Sequence, residues 1–430
     1  MRTKQQIVTS MHDVLVSKMS HPCSTTFHTD ARMREDLGLD SAGTLQLVVL
    51  LEVELGLSLP EEAVMNNEFD TVRKVAKILY DAQPRANPAQ ILDYEEDIKL
   101  HCFVSCLSEV VKRHPGLEHR VLYFGVWDSE IVVSDSCQIS YHSDTISHEH
   151  FLEWYERLYG IKVQAWYDDS LSKDENCERL ASLVETRAPD EHIMVMLDMH
   201  QLPERVNEFN KDPFPHYLML GPTRQPDEWM VYDPDYRWEG VAKRARLLQA
   251  MRHPSVRGGY IFSDKAARPP NVAQIRAYFE ACLKTETPMI DAIRQSLSAH
   301  LEGRDKRGNP LALAALGKAF EEVPILSIRK YAYEHGLAFF WRELNLAEAE
   351  FDHWCEAIAE LVKSYKLVQF QALKLATTGD RALADRIFAM LADQEQRERQ
   401  IKKRLLEVYE QWCSPVSASP KRLIVAGGSS

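Results

Sequence analysis

No two cysteines of the 430-residue chain stand at CxxC spacing, which excludes a zinc ribbon and a thioredoxin-type redox motif. The eight that are present (Cys23, Cys102, Cys106, Cys137, Cys177, Cys282, Cys355 and Cys413) are scattered, the usage of free thiols in a reducing cytoplasm. No apolar run is long enough to span a bilayer. The opening Met1-Arg2-Thr3-Lys4-Gln5-Gln6 has no signal-peptide apolar core. A cytoplasmic protein with no membrane partner is therefore expected. Positive charge is also short: the formal charge is −13, whereas nucleic-acid binding needs clustered Lys and Arg. The acidic balance suits solubility or a cationic substrate. No glycine-rich loop ends in Gly-Lys-Ser/Thr, and Gly303-Arg304-Asp305-Lys306-Arg307-Gly308 reads as a charged turn. His142, His148 and His150 have no carboxylate or cysteine partner at ligand spacing, so no metal is expected.

What the chain does have is a serine placed after an aspartate at the start of an amphipathic stretch. Asp36-Leu37-Gly38-Leu39-Asp40-Ser41 runs into Leu45, Leu47, Val48, Val49, Leu50 and Leu51. A hydroxyl there is exposed to a modifying enzyme, and a helix N-terminus favours a phosphodiester next to it. An ordinary N-cap serine would look the same locally. The surroundings favour attachment: Ile7, Met11, Val14, Leu15 and Met19 share one helical face, and Thr71–Leu79 closes a small bundle with Asp70 as its expected N-cap. Residues 1–83 resemble acyl and peptidyl carrier proteins. The resemblance implies 4'-phosphopantetheine on Ser41, with Asp40 contacting the phosphopantetheinyl transferase, and a separate adenylating enzyme to load the acyl group. Ala42-Gly43 departs from the bulky aliphatic residue that usually follows the serine.

Pro84-Arg85-Ala86-Asn87-Pro88 interrupts the helical pattern and marks a linker over 84–91. Residues 92–266 read as an α+β domain. Strands are expected at Arg120–Phe124, Glu130–Val133, Val163–Trp166, Ile193–Asp198, His216–Leu220, Trp229–Tyr232 and Gly258–Phe262. Helices are expected from Cys102, around His148–Tyr159 and at Lys173–Thr186. Residues 270–413 are helical in pattern and 414–430 read as a disordered tail. The fold class is thus multidomain α and α+β: a four-helix carrier bundle, an α+β transferase domain and a C-terminal helical domain.

Within the α+β domain, Leu100-His101-Cys102 opens a helix, where the dipole stabilises a thiolate. Cys106 lies one turn further in and is less favoured. His216 begins an apolar strand and Asp233 ends the next, so a short hairpin makes them cross-strand neighbours. Cysteine, histidine and aspartate in this order supply a nucleophile, a base and an orienting carboxylate, and this is the papain-like order. Asp168-Asp169 and Asp198-Met199-His200 are candidate contacts for a cationic amine. His335 and His353 read as packing residues.

The pair His101-Cys102, Leu197-Asp198, Phe214-Pro215-His216-Tyr217 and Tyr232-Asp233-Pro234 resemble the amide-forming acyltransferases of butirosin type, which have a papain-like fold. Residues 92–413 are also similar to the condensing enzymes of petrobactin siderophore assembly. This resemblance implies transfer of an acyl or aryl group, such as 3,4-dihydroxybenzoyl, from the chain's own carrier domain to a small-molecule amine such as spermidine. The same three residues would equally serve a thioesterase or amidase. A carrier with a non-catalytic docking domain is the remaining alternative.

Overall fold

The computed structural model describes residues 4–19, 21, 27–39, 44, 47–48, 50–51, 54–55, 69–81, 100–142, 146–202 and 213–414. Asp40, Ser41, the 84–91 linker and the tail beyond Ser414 lie outside them. The chain divides into two compact units, Met1–Ile91 and Leu92–Ser430.

In the first unit, the helices α1 (Lys4–Ser17) and α2 (Val72–Asp81) bring one apolar face each to a common core. Ile7, Met11, Val14 and Leu15 meet Val72, Val75 and Leu79, with Leu37, Leu39, Leu47, Val48 and Leu51 closing the core. The i, i+4, i+7, i+8 spacing on α1 is what puts these side chains on one stripe. The cap of α2 is Thr71, whose hydroxyl accepts from the Lys74 N–H at 3.2 Å. Asp70, the expected cap, instead pairs with the Lys74 ammonium at 2.7 Å. One residue of register decides this, because only the residue next to the helix reaches the N3 amide.

The second unit begins with α3 (Cys102–Lys112). A two-stranded ribbon, β1 (Val132–Val133) and β2 (Ile139–Ser140), follows. Next come α4 (Glu149–Tyr159), β3 (Val163–Ala165), α5 (Lys173–Thr186), β4 (Glu191–Asp198), β5 (Pro215–Pro222), β6 (Glu228–Asp233), β7 (Trp238–Lys243), α6 (Arg244–Arg252) and β8 (Gly259–Ser263). Strands β3 to β8 form one antiparallel sheet in the order β3-β8-β4-β5-β6-β7. The central strands β4 and β5 are buried along nearly their whole length, since helices or loops cover both faces. The edge strand β7 buries little, which left only a weak apolar signal.

Arg120–Phe124, expected as a strand, is a 3-10 helix over Arg120–Gly125. Val121, Leu122 and Phe124 are all fully buried, so the segment presents no polar face. A short run that is apolar on every side has no period to separate strand from helix. Phe124 stacks with Trp127 and Phe340.

The remaining elements are helical: α7 (Val272–Cys282), α8 (Pro288–Glu302), α9 (Leu316–Ala319), α10 (Val323–Ser327), α11 (Ala332–Leu344), α12 (Glu348–Thr378) and α13 (Ala382–Cys413). No helix among the described residues is long and apolar enough to cross a membrane.

A buried ionic cluster ties these helices to the α+β region. Asp128 accepts from Lys330 at 2.9 Å and from Lys402 at 2.7 Å, and Lys330 also reaches Glu398 at 2.6 Å. Burial alone would raise the Asp128 pKa, but the two ammonium groups more than offset this and hold it below the usual carboxylate range. Its contribution to stability is therefore present above the unfolded value of about 3.9 and lost as pH falls through the folded one. Lys330 behaves in the opposite sense. Burial lowers its pKa, Asp128 and Glu398 outweigh that, and its contribution is lost only as pH rises beyond the unfolded value of about 10.4. Asp128→Asn leaves Lys330 with Glu398 alone and takes from buried Lys402 its close carboxylate, so thermal or urea unfolding should show a loss of about 3–5 kcal/mol at neutral pH.

Candidate active site

Cys102 is the first residue of α3, and His101 before it is extended, with φ −166° and ψ 102°. The residue that fixes this entry comes from the far end of the sheet. Asp235 Oδ1 accepts from the backbone N–H of Leu100 at 3.0 Å and of His101 at 3.2 Å, and from the Ser105 hydroxyl at 2.8 Å. The first intrahelical bond runs from Ser105 N–H to the His101 carbonyl at 2.9 Å, so the N–H groups of Cys102 and Phe103 have no partner within the helix. Burial raises the Asp235 pKa above the usual carboxylate value, partly opposed by His216. Sequence reading passed over this residue, although it completes an Asp233-Pro234-Asp235 turn. Asp235→Asn keeps the accepting oxygen and should be mild. Asp235→Ala leaves three donors unmatched, and urea unfolding should report a loss of about 1–3 kcal/mol.

His216 lies near the start of β5 and Asp233 ends β6. The ladder pairs Met219 with Tyr232, so Asp233 falls short of the position facing His216. The two are diagonal neighbours on one face rather than direct cross-strand partners, a separation that long side chains still bridge. His216 Nε2 and Asp233 Oδ1 are 3.0 Å apart, with both side chains buried. Since Asp233 engages Nε2, Nδ1 is the ring nitrogen left over, and His216 lines the same cavity as Cys102. Burial would depress the His216 pKa, but the Asp233 carboxylate and Cys102 hold it well above the ordinary histidine value. The structure thus brings Cys102, His216 and Asp233 together. Cys106 is fully buried, its Sγ donates to the Tyr217 carbonyl at 3.7 Å, and burial pushes its pKa well up.

Cys102 and His216 line a cavity of about 350 Å³. Tyr141, His101, His148 and Arg329 also face it. Sequence reading found no metal role for His148. Here it stacks on Phe103 with ring centroids 4.1 Å apart, and burial, then His142 and Arg329, lower its pKa to about 4. His101 is held neutral in the same way, by burial and then by Arg329 and His148. The Nδ1 atoms of both rings lack a hydrogen-bond partner. His335 stacks on Tyr123 at 4.0 Å.

Neither acidic cluster proposed for an amine belongs to this cavity. Asp168 accepts from the N–H and hydroxyl of Ser170 in a loop. Asp198 is fully buried, and its Oδ1 accepts from the N–H groups of Phe214 and His200 at 2.7 and 3.2 Å. Both are turn-forming uses of aspartate. Among the described residues no group of three or more His, Cys, Asp and Glu could hold a metal ion, and the seven described cysteines are free.

Ser41 lies outside the described residues, and its nearest described neighbours in sequence are packed. Gly38 turns the chain at φ +67°, a value that favours glycine. Leu39 on one side and Thr44, Leu47 and Val48 on the other are buried.

Comparison with known proteins agrees with this division. Residues 24–79 match the family described as Phosphopantetheine attachment site, and a 54-residue stretch is 41% identical to an acyl carrier protein of Treponema denticola, covering 13% of this chain and 67% of that one. The first unit therefore carries covalent 4'-phosphopantetheine, which requires a phosphopantetheinyl transferase. Residues 97–267 and 273–423 match the families described as DUF6005 N-terminal domain and DUF6005 C-terminal domain. Over 315 residues the chain is 37% identical to petrobactin synthase of Bacillus anthracis, covering 73% of this chain and 95% of that one. With a phosphopantetheine-bearing domain ahead of this long match, the chain belongs to the petrobactin synthase family.

Proposed function

We propose that this chain is a carrier-dependent, amide-forming acyltransferase with a papain-like catalytic domain, acting in the cytoplasm in siderophore biosynthesis. Its acyl group is an aryl acid such as 3,4-dihydroxybenzoyl, loaded by an adenylating enzyme, and its acceptor is an amine such as spermidine. The observation that carries the reading is the 3.0 Å His216–Asp233 contact beside a helix-start cysteine in one cavity.

Ser41 is the residue that would hold the 4'-phosphopantetheine. When bound, this group supplies a terminal thiol on which an acyl group is activated as a thioester. Cys102 attacks an acyl carbonyl as the thiolate, and its own sulfur becomes acylated. The free N–H groups of Cys102 and Phe103 stabilise the oxyanion. His216 donates its Nδ1 proton to the departing thiolate. It then takes a proton from the amine as nitrogen bonds to the carbonyl carbon, and Cys102 leaves as the thiolate. Asp233 keeps the ring in the required tautomer throughout. Carrier and catalyst on one chain raise the effective concentration of donor.

Hydrolysis by the same residues is the competing outcome. It is decided by intact-mass and product analysis of the phosphopantetheinylated, aryl-loaded protein with and without spermidine. Amide formed only when amine is added supports transfer. Free acid at the same rate in both would make the protein a hydrolase.

A further inference from the structure

One cation in the cavity has no opposite charge. Arg329 sits in the 3-10 turn Ile328–Tyr331, within the segment matched by the C-terminal family. Its side chain lines the same cavity as Cys102 and His216, and the residue is only 9% exposed. Its hydrogen bonds all end on neutral groups. Nη1 donates to the Ser129 hydroxyl at 3.1 Å and the Glu130 carbonyl at 3.0 Å, and Nη2 donates to the Tyr141 carbonyl at 3.0 Å. No ion pair among the described residues includes it. Of the carboxylates nearby, Asp128 is committed to Lys330 and Lys402, Asp235 to the start of α3 and Glu322 to the Tyr141 N–H at 2.9 Å, while Glu130 meets Arg329 through its backbone carbonyl and not through an ion pair. Buried guanidinium groups are normally paired, because desolvation without an anion is costly.

We propose that Arg329 is the fixed counter-charge of the Cys102 thiolate, a positioning residue through which the C-terminal segment completes the active site. The inference rests on the reading of Cys102 as the nucleophile and extends it. Three neutral anchors hold the planar guanidinium in place, an arrangement that a lysine ammonium would not reproduce in full. Burial lowers the Arg329 pKa to about 10, opposed first by Cys102 and then by Tyr141 and Asp235, so it stays charged at neutral pH. The same positive field bears on His101 and His148. Both rings stay neutral, whereas the pKa of His216, paired with Asp233, is raised. A second cation also has a chemical use. Once His216 has given its proton to the departing thiolate, Arg329 remains as the cation that keeps the Cys102 sulfur a good leaving group for the next half of the reaction.

The test is the pH dependence of Cys102 alkylation by iodoacetamide in the full chain, read by peptide mass spectrometry. Arg329→Gln should slow alkylation by about tenfold below neutral pH, because the thiolate loses its fixed cation. Arg329→Lys should recover most of that loss. In His216→Ala, where Arg329 is intact, alkylation below neutral pH should still be faster than that of a free cysteine. Superimposable profiles for wild type and Arg329→Gln, equal losses for Gln and Lys, or a His216→Ala thiol no more reactive than free cysteine would each overturn the proposal. The His216→Ala arm stands even if Arg329→Gln fails to fold. Undiminished amide formation by Cys102→Ser would instead remove the nucleophile itself, whatever the alkylation profiles.

Discussion

Cys102→Ser is expected to reduce amide formation by about 10³-fold or more, with loading of the carrier domain unchanged. A serine hydroxyl in the same place is not ionised near neutral pH, so His216 would have to remove its proton in the attack itself. The substitution spares the local fold, because Asp235 holds the start of α3 through backbone N–H groups and the Ser105 hydroxyl, not through Sγ. Circular dichroism and melting temperature should therefore match wild type. Single-turnover reaction of loaded protein with spermidine, followed by intact mass, gives the readout. Amide formation within a few-fold of wild type would rule out Cys102 as the nucleophile and leave direct attack by the amine, with His216 as base.

Asp233→Asn should lower kcat by about 10³–10⁴-fold at neutral pH. In the native arrangement Nε2–H donates to Asp233 Oδ1, and the proposed relay has Nδ1 exchange a proton with Cys102. An asparagine can turn its amide NH₂ toward Nε2 and favour the tautomer with the proton on Nδ1, which cannot accept one. The substitution also removes the main charge that holds the His216 pKa up against burial. A histidine whose folded pKa is raised contributes stability in full below its unfolded value of about 6.5, and that contribution is lost as pH rises through the folded value. The stability gap between wild type and Asp233→Asn should therefore be widest on the acid side and narrow at higher pH. Activity of the variant measured against pH, alongside melting curves, checks both parts. A variant that keeps wild-type kcat and its pH profile would take Asp233 out of the relay.

Much of the local structure was legible because it depends on neighbours in sequence. The α1 stripe of Ile7, Met11, Val14 and Leu15 needs only the 3.6-residue period, and α5 (Lys173–Thr186) begins where Ser172 and Glu175 form a capping box. Strands β4, β5 and β6 announced themselves through apolar runs separated by turn residues. The failures came where local pattern was mute. Arg120–Phe124 is apolar on every side, and only the helices packed around it decide that it coils. β7 buries so little that its composition says nothing. The acidic clusters at Asp168 and Asp198 suggested a ligand because sequence does not reveal that Oδ1 of each already accepts from the backbone of its own turn or loop.

The site divides along the same line. Residue types and their local settings were in the sequence: a cysteine opening a helix, a histidine near the start of one strand, an aspartate ending the next, and a serine ahead of an amphipathic stretch. Tertiary structure alone decided the β5–β6 register that makes His216 and Asp233 diagonal partners, the reach of Asp235 across 135 residues to hold Leu100, and the arrival of Arg329 in the cavity. A side chain's chemistry and its helical or strand phase are set by near neighbours, whereas burial and charge pairing are set by whatever the fold brings from far along the chain. For that reason the chain could name its cysteine, but only the folded protein shows which charges surround it.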